Sequence, residues 1–287
     1  MNHSNAQLLD LQEHCARLSD VLKALWQQDI STLVKDEEAY RYGAAADWLE
    51  LAAGVCKVDV LTGRFDNSLM YCSSAREYEN ARSDLLTRLA TELTVFSFAW
   101  CALETVSKLV DPPSIPADQR STGANGLIDR VIFFIKPLSS LPKYRIVLSA
   151  VERVLTSHPR FAALLQKDPL SSHMGESGVG LDFVRRVRND FAHGSASLPM
   201  PDVCSHGWCG RRSTEPDLIR LSTRIVLFTI QMLLCAFYRG KNFDIDSVLE
   251  DAEGFSCDAD IHLVLTTLHL SPREVEDADK EGREEMP

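Results

Sequence analysis

Three stretches of the chain share one spacing of apolar residues. Leu8, Leu11, Cys15, Leu18, Leu22 and Leu25 are separated by steps of 3, 4, 3, 4 and 3. Leu86, Leu89, Leu93, Phe96, Trp100 and Leu103 repeat those steps, and so do Leu218, Leu221, Ile225, Phe228, Met232 and Cys235. Each helical residue advances ~100°, so this alternation holds one stripe against a partner. It predicts helices over residues 6–27 and 74–110, and from Thr214 to the Arg239-Gly240 exit. Thr214-Glu215-Pro216-Asp217 has the composition of a helix start, with a hydroxyl cap and an early proline. Asp111-Pro112-Pro113 stops the longest helix. Weaker stripes predict further helices near 36–56, 127–136, 143–157, 181–193 and 246–269. Val58 to Cys72 reads as a loop or small hairpin, Ser171 to Gly180 as a Gly/Ser-rich connection, and Ser195 to Ser213 as a loop. Strand-type alternation is nearly absent. The expected fold is all-α, an antiparallel helical bundle around one core.

Composition narrows the setting. The chain has 287 residues, 45% of them hydrophobic, which supports a sizeable core. Its net charge of −11 argues against non-specific duplex DNA binding. From Arg273 to Glu285 there are three basic and seven acidic residues, predicting a disordered acidic tail. Cys15, Cys56, Cys72, Cys101, Cys204, Cys209, Cys235 and Cys257 lack a pairing rhythm, and reduced thiols in a cytoplasmic protein are expected. Ile225 to Tyr238 is apolar but short and contains Gln231, which reads as a buried helix and not a membrane span.

Chemistry concentrates at Val187-Arg188-Asn189-Asp190-Phe191-Ala192-His193-Gly194. On a helical projection Phe183, Val184 and Phe191 fall within about 60° of Val187 and form the buried stripe. Arg185, Arg188, Asn189 and His193 fall on the other half, and Gly194 is the expected residue just past the helix end. His193 is therefore available to a substrate or partner. Glu104 is the first charge after an uncharged run beginning at Leu93, and an acid at that point needs a partner. Arg185 and Arg186, with Arg211 and Arg212 in the next loop, form a candidate phosphate-backbone footprint. Cys204-x-His206-x-x-Cys209 supplies only one short ligand cluster. Zinc would need His193 or His173 as well, so an ordinary loop is the better reading. Gly175, Gly178 and Gly180 have no following Lys-Ser/Thr and no preceding strand, which disfavours a phosphate loop. No nucleophile elbow supports Ser-His-Asp chemistry. Neither a metal nor a cofactor is expected.

The Arg188-Asn189-x-x-x-His193 string resembles the signature of the HEPN superfamily, and Glu104 is similar in position to the acid many of its members hold beside the Arg and His. The resemblance covers about residues 75–240. It implies a HEPN-like bundle over 73–245, preceded by an N-terminal helical extension (1–72) and followed by a C-terminal helical segment (246–270) and the acidic tail (271–287). It also implies metal-independent endoribonuclease activity in bacterial defence or a toxin–antitoxin-like system, at a composite site between two chains. Arg188, Asn189, His193 and Glu104 are then catalytic, and Arg185, Arg186, Arg211 and Arg212 bind RNA. The partners are RNA, a second copy, and an antitoxin or regulatory protein. The alternative is a catalytically inactive HEPN-like module that binds RNA, nucleotide or protein. Arg188 and His193 lie ~140° apart on one helix, so a two-fold pairing of chains is expected on geometric grounds too.

Overall fold

A computed structural model describes residues 7–27, 36–65, 72–119, 126–138, 140–157, 174–194, 198–204, 207–209, 214–240, 244–246 and 258–271. Among them are α1 (Leu11–Gln27), α2 (Asp36–Gly54), α3 (Ser73–Val110), α4 (Leu127–Ile135), α5 (Tyr144–Ser157), α6 (Gly175–Ala192), α7 (Glu215–Phe237) and α8 (Ile261–Thr267). Two short antiparallel hairpins join β1 (Asp202–Cys204) to β2 (Gly207–Cys209) and β3 (Asp244–Asp246) to β4 (Asp258–Asp260). The protein is all-α in class, and the first hairpin falls where the sequence shows no periodicity.

Helix α7 is the axis of the core, with every residue from Ile225 to Leu234 buried. Stripes from α1, α2, α3, α4, α5, α6 and α8 converge in one apolar cluster that runs from Leu11 to Leu268. The helices before residue 72 and after 246 therefore share the core of the central bundle and are not appendages to it. The acidic tail beyond Ser271 lies outside the described residues. Ion pairs Arg88–Asp217 and Arg220–Glu92 align α7 with α3 in the same direction. The Trp48–Phe98 ring contact and the Arg41 bond to the Lys108 carbonyl set α2 antiparallel to α3. By length and apolarity α3 and α7 are each long enough to cross a membrane, but more than half of each apolar window is buried by neighbouring helices.

Several boundaries differ from the periodic expectation. Helix α1 begins at Leu11 because Asp10 caps it, its carboxylate accepting from the Gln12 N–H at 3.0 Å. Leu8, the first residue of that stripe, instead bridges to Leu270. Helix α6 begins at Gly175, inside the stretch read as a connection. Thr214 does not cap α7 through its hydroxyl, whose Oγ1 is buried without a hydrogen-bond partner. Of the helix expected over 246–269, residues 247–257 lie outside the described residues, and the described part is helical over Ile261–Thr267, with the Asp260 carboxylate capping its first N–H groups.

Residues 56–62 are extended and lie along α3. The N–H groups of Val58, Val60 and Thr62 donate to Thr91 Oγ1, Thr87 Oγ1 and Ser83 Oγ at 2.9, 2.9 and 3.1 Å. Two strand residues span ~6.6 Å and four helical residues ~6 Å, so hydroxyls four apart on a helix match alternate strand amides.

A buried polar network locks the N- and C-terminal parts to α7. Gln231 Nε2 donates to the Leu265 carbonyl (2.7 Å) and to His269 Nδ1 (3.1 Å), which leaves the His269 Nε2–H to donate to the Pro142 carbonyl (3.0 Å). Gln231 Oε1 accepts from His14 Nε2–H at 2.8 Å, and His14 Nδ1 accepts from Arg224 at 3.0 Å. Both imidazoles are satisfied as neutral rings. Burial first, and then the neighbouring Arg224 charge, hold the His14 pKa well below its usual value. In the unfolded chain this histidine titrates near 6.5. Below that pH the unfolded state binds a proton that the folded state excludes, so stability falls as pH drops, by up to ~1.4 kcal/mol per unit. The expected result is a urea midpoint that declines between pH 6.5 and 5 and levels off above 7.5. The slope should be smaller in His14→Gln, and an unchanged slope in that variant would rule His14 out as its source.

Candidate functional site

The last two turns of α6 present the motif. Phe183, Val184 and Val187 are buried and Phe191 packs against the core from a half-buried position, which turns the opposite face outward. Asn189 and His193 are exposed and Arg188 is half-buried. The helix ends as its composition predicts. His193 N–H donates to the Asn189 carbonyl at 3.0 Å, and Gly194 follows at φ +65°, a conformation that suits glycine. The imidazole side chain takes no part in this backbone cap.

The acid comes from α3. Glu104 Oε1 accepts from the indole N–H of Trp100, one turn earlier, at 2.7 Å. Arg188 Cζ lies over the face of the same indole, 5.8 Å from the ring centroid, within cation–π range. Trp100 thus joins Glu104 and Arg188, residues 84 positions apart in sequence. A contact with the π-face consumes none of the five guanidinium N–H donors. One of them approaches Asn189 Oδ1 at a long 3.4 Å. Cys101 stands beside this group. Burial, and then the Glu104 carboxylate, raise its thiol pKa, against the opposing charges of Arg188 and Lys108. It is a protonated thiol at neutral pH.

Arg185 and Arg186 are placed differently from the expected footprint. The Asp182 carboxylate is 2% exposed, and it accepts from Arg185 and, at 2.8 Å, from Arg186 Nε. Arg185 also pairs with Asp129 of α4, whose other oxygen accepts from the Gly126 N–H. Arg185 holds α6 to α4 and Arg186 pairs along α6 itself, and a phosphate would have to displace carboxylates to reach either. Arg211 and Arg212 lie outside the described residues.

The β1–β2 hairpin docks at the far end of α3. Tyr78 meets Trp208 edge-to-face with centroids 4.9 Å apart, and the 22 residues from Tyr78 to Trp100 place that contact ~33 Å along the helix from Glu104's partner. Cys204 and Cys209 are carried on this hairpin, and His206 and His173 lie outside the described residues. Among the described residues no group of three or more His, Cys, Asp or Glu side chains is placed to hold a metal. Gly178 and Gly180 do not form a phosphate loop, being buried helix positions that face α4 and α5.

Trp100 is the member of this site that sequence reading treats only as core. The available signal was its i, i+4 relation to Glu104, which puts an N–H donor and a carboxylate on one helix face. No protein-family model, no curated protein and no solved structure matches the chain.

Proposed function

We propose that the protein is a HEPN-type, metal-independent endoribonuclease of the cytoplasm, acting as a homodimer under the restraint of an antitoxin or other regulatory protein. The observation that carries this reading is the meeting of Glu104 and Arg188 on Trp100, beside the helix end that exposes His193. In the reaction His193 takes the proton of a ribose 2′-OH, since imidazole exchanges protons near neutral pH. The 2′-oxygen attacks the adjacent phosphorus and the 5′-oxygen leaves with a proton, giving a 2′,3′-cyclic phosphate and a 5′-hydroxyl end. Arg188, held by Trp100 with its N–H donors largely unspent, stabilises the extra negative charge on the phosphorane. Glu104 positions Arg188 through the indole, and Asn189 orients a phosphate oxygen or the imidazole. A second copy supplies the groups that one helix holds ~140° apart. The free thiols of Cys15, Cys56, Cys72, Cys101 and Cys235 agree with a reducing compartment.

The test is incubation of the purified full chain with single-stranded and structured RNA in EDTA. Cleavage to cyclic-phosphate ends that Arg188→Ala lowers at least 100-fold is the expected result. Intact RNA, or cleavage indifferent to Arg188→Ala, overturns the proposal.

The ion pairs of Arg185 and Arg186 favour a second reading, because they remove two cations from the backbone footprint. It is a catalytically inactive HEPN-like module that binds RNA, nucleotide or protein through Arg188 and His193. Saturable binding without cleavage, weakened by Arg188→Ala, would identify it.

A further inference from the structure

The extended segment on α3 has two edges, and among the described residues only one of them has its N–H groups hydrogen-bonded. Val58, Val60 and Thr62 turn their N–H groups to the Thr91, Thr87 and Ser83 hydroxyls. In an extended chain the N–H and C=O of alternate residues point to opposite sides, so Lys57, Asp59 and Leu61 direct theirs away from α3. Among the described residues no hydrogen bond from the N–H groups of these three is present, although the Leu61 carbonyl accepts from the Arg64 N–H at 3.3 Å. The side chains of Lys57 and Asp59, which pair with each other at 2.5 Å, are 64% and 67% exposed and open to further partners. Leu61 is 66% exposed, Phe65 88% and, at the end of α2, Leu51 51%. An open strand edge beside exposed apolar side chains is a template for a further strand.

We propose that this edge pairs with the same edge of a second copy, residues 55–61 of the two chains forming an antiparallel two-stranded ribbon across a two-fold axis. The charge pattern selects the occupant and the register. Outward-facing residues must oppose outward-facing residues in an antiparallel pair. One such register sets Lys57 against Lys57, and another sets Asp59 against Asp59, each placing like charges directly opposite. The register between them passes the axis through Val58. It sets Lys57 of each copy opposite Asp59 of the other, with Leu61 opposite Val55. The segment is thus self-complementary, as a two-fold contact requires. In that register the N–H and C=O of Lys57 and Asp59 exchange four hydrogen bonds across the axis. Ser83, Thr87 and Thr91 lie ~120° around α3 from Trp100 and Glu104, so this contact is separate from any pairing through α6. A chain using both contacts forms a dihedral tetramer where the two axes intersect at right angles. The inference does not depend on the ribonuclease reading.

Sedimentation equilibrium of the full-length chain over a range of concentrations tests it. The wild type should be a dimer or tetramer. Lys57→Asp and Asp59→Lys should each halve the mass, or weaken association at least tenfold, while the double variant Lys57→Asp/Asp59→Lys restores it by recreating the opposed charges in reverse. Asp59→Pro, which deletes an outward N–H and leaves the amides bonded to α3 intact, should also halve the mass. Circular dichroism unchanged in the single variants separates lost association from lost folding. A monomer at all concentrations, a mass unmoved by either charge variant, or a double variant that fails to restore it overturns the proposal.

Discussion

Replacing His193 by alanine should lower metal-free RNA cleavage by about 10²–10⁴-fold and leave the urea midpoint where it was. The first half follows from the acid–base role proposed for this side chain, since removing such a group typically costs a factor in that range. The second half follows from the fold. His193 contributes to helix capping through its backbone N–H, which donates to the Asn189 carbonyl, and its side chain is exposed. An exposed substitution of this kind moves stability by no more than about 0.5 kcal/mol. The measurement is a single-turnover time course in EDTA on a short RNA, beside urea unfolding of the same preparation. The same RNA with one 2′-deoxy ribose should resist cleavage at that position, because the attacking oxygen is gone. Full activity in His193→Ala, or cutting at the deoxy position, would remove His193 from the chemistry. Loss of activity accompanied by a lower midpoint would recast it as a structural residue.

The parts of this molecule that were legible in the sequence are those in which a helix reports its own burial. The stripes of α1, α3 and α7 follow from spacing alone, as do the stop at Asp111-Pro112 and the glycine past His193. Glu104 was legible as a charge that had to find a partner. What the sequence hid depends on a second element. A helical projection sends Arg185 outward, but it cannot show Asp129 arriving on α4 to meet it. Trp100 fits the α3 stripe so well that its indole N–H, donated to Glu104, passes unnoticed. The 56–62 segment alternates polar and apolar residues only over Lys57-Val58-Asp59-Val60, too short a run to predict an extended strand. Its order comes from Ser83, Thr87 and Thr91, three hydroxyls that look like ordinary polar positions until a strand lies across them. The start of α6 was missed for a related reason. Gly175, Gly178 and Gly180 lower helix propensity, and close packing overrides that preference.

That packing makes Gly180→Ala the most disruptive small substitution expected. On propensity alone the change would add ~1 kcal/mol, since Gly180 lies inside a helix. Sterically it fails, because a Cβ at this position would stand 2.1 Å from Tyr144 Oη and 3.1 Å from Cζ. Tyr144 cannot swing aside cheaply. It is fully buried, its ring lies edge-on to Phe228 with centroids 5.6 Å apart, and its hydroxyl donates to the Ser177 carbonyl at 3.0 Å. Either α5 moves off α6, at the ~1–3 kcal/mol of an overpacked core, or the hydroxyl leaves its acceptor, at ~1–3 kcal/mol for a buried unpaired group. Set against the ~1 kcal/mol propensity gain, either route leaves a net loss of up to about 2 kcal/mol, read as a lower urea midpoint. The control is Tyr144→Phe, which removes the atom that clashes. The double variant Gly180→Ala/Tyr144→Phe should be less destabilised than the sum of the two single changes by more than ~1 kcal/mol, the mark of directly contacting residues. A stabilised Gly180→Ala, or simple additivity in the double variant, would mean that α5 and α6 do not approach as closely as Gly180 allows. The helix that carries Arg188 and His193 would then be seated differently on the bundle.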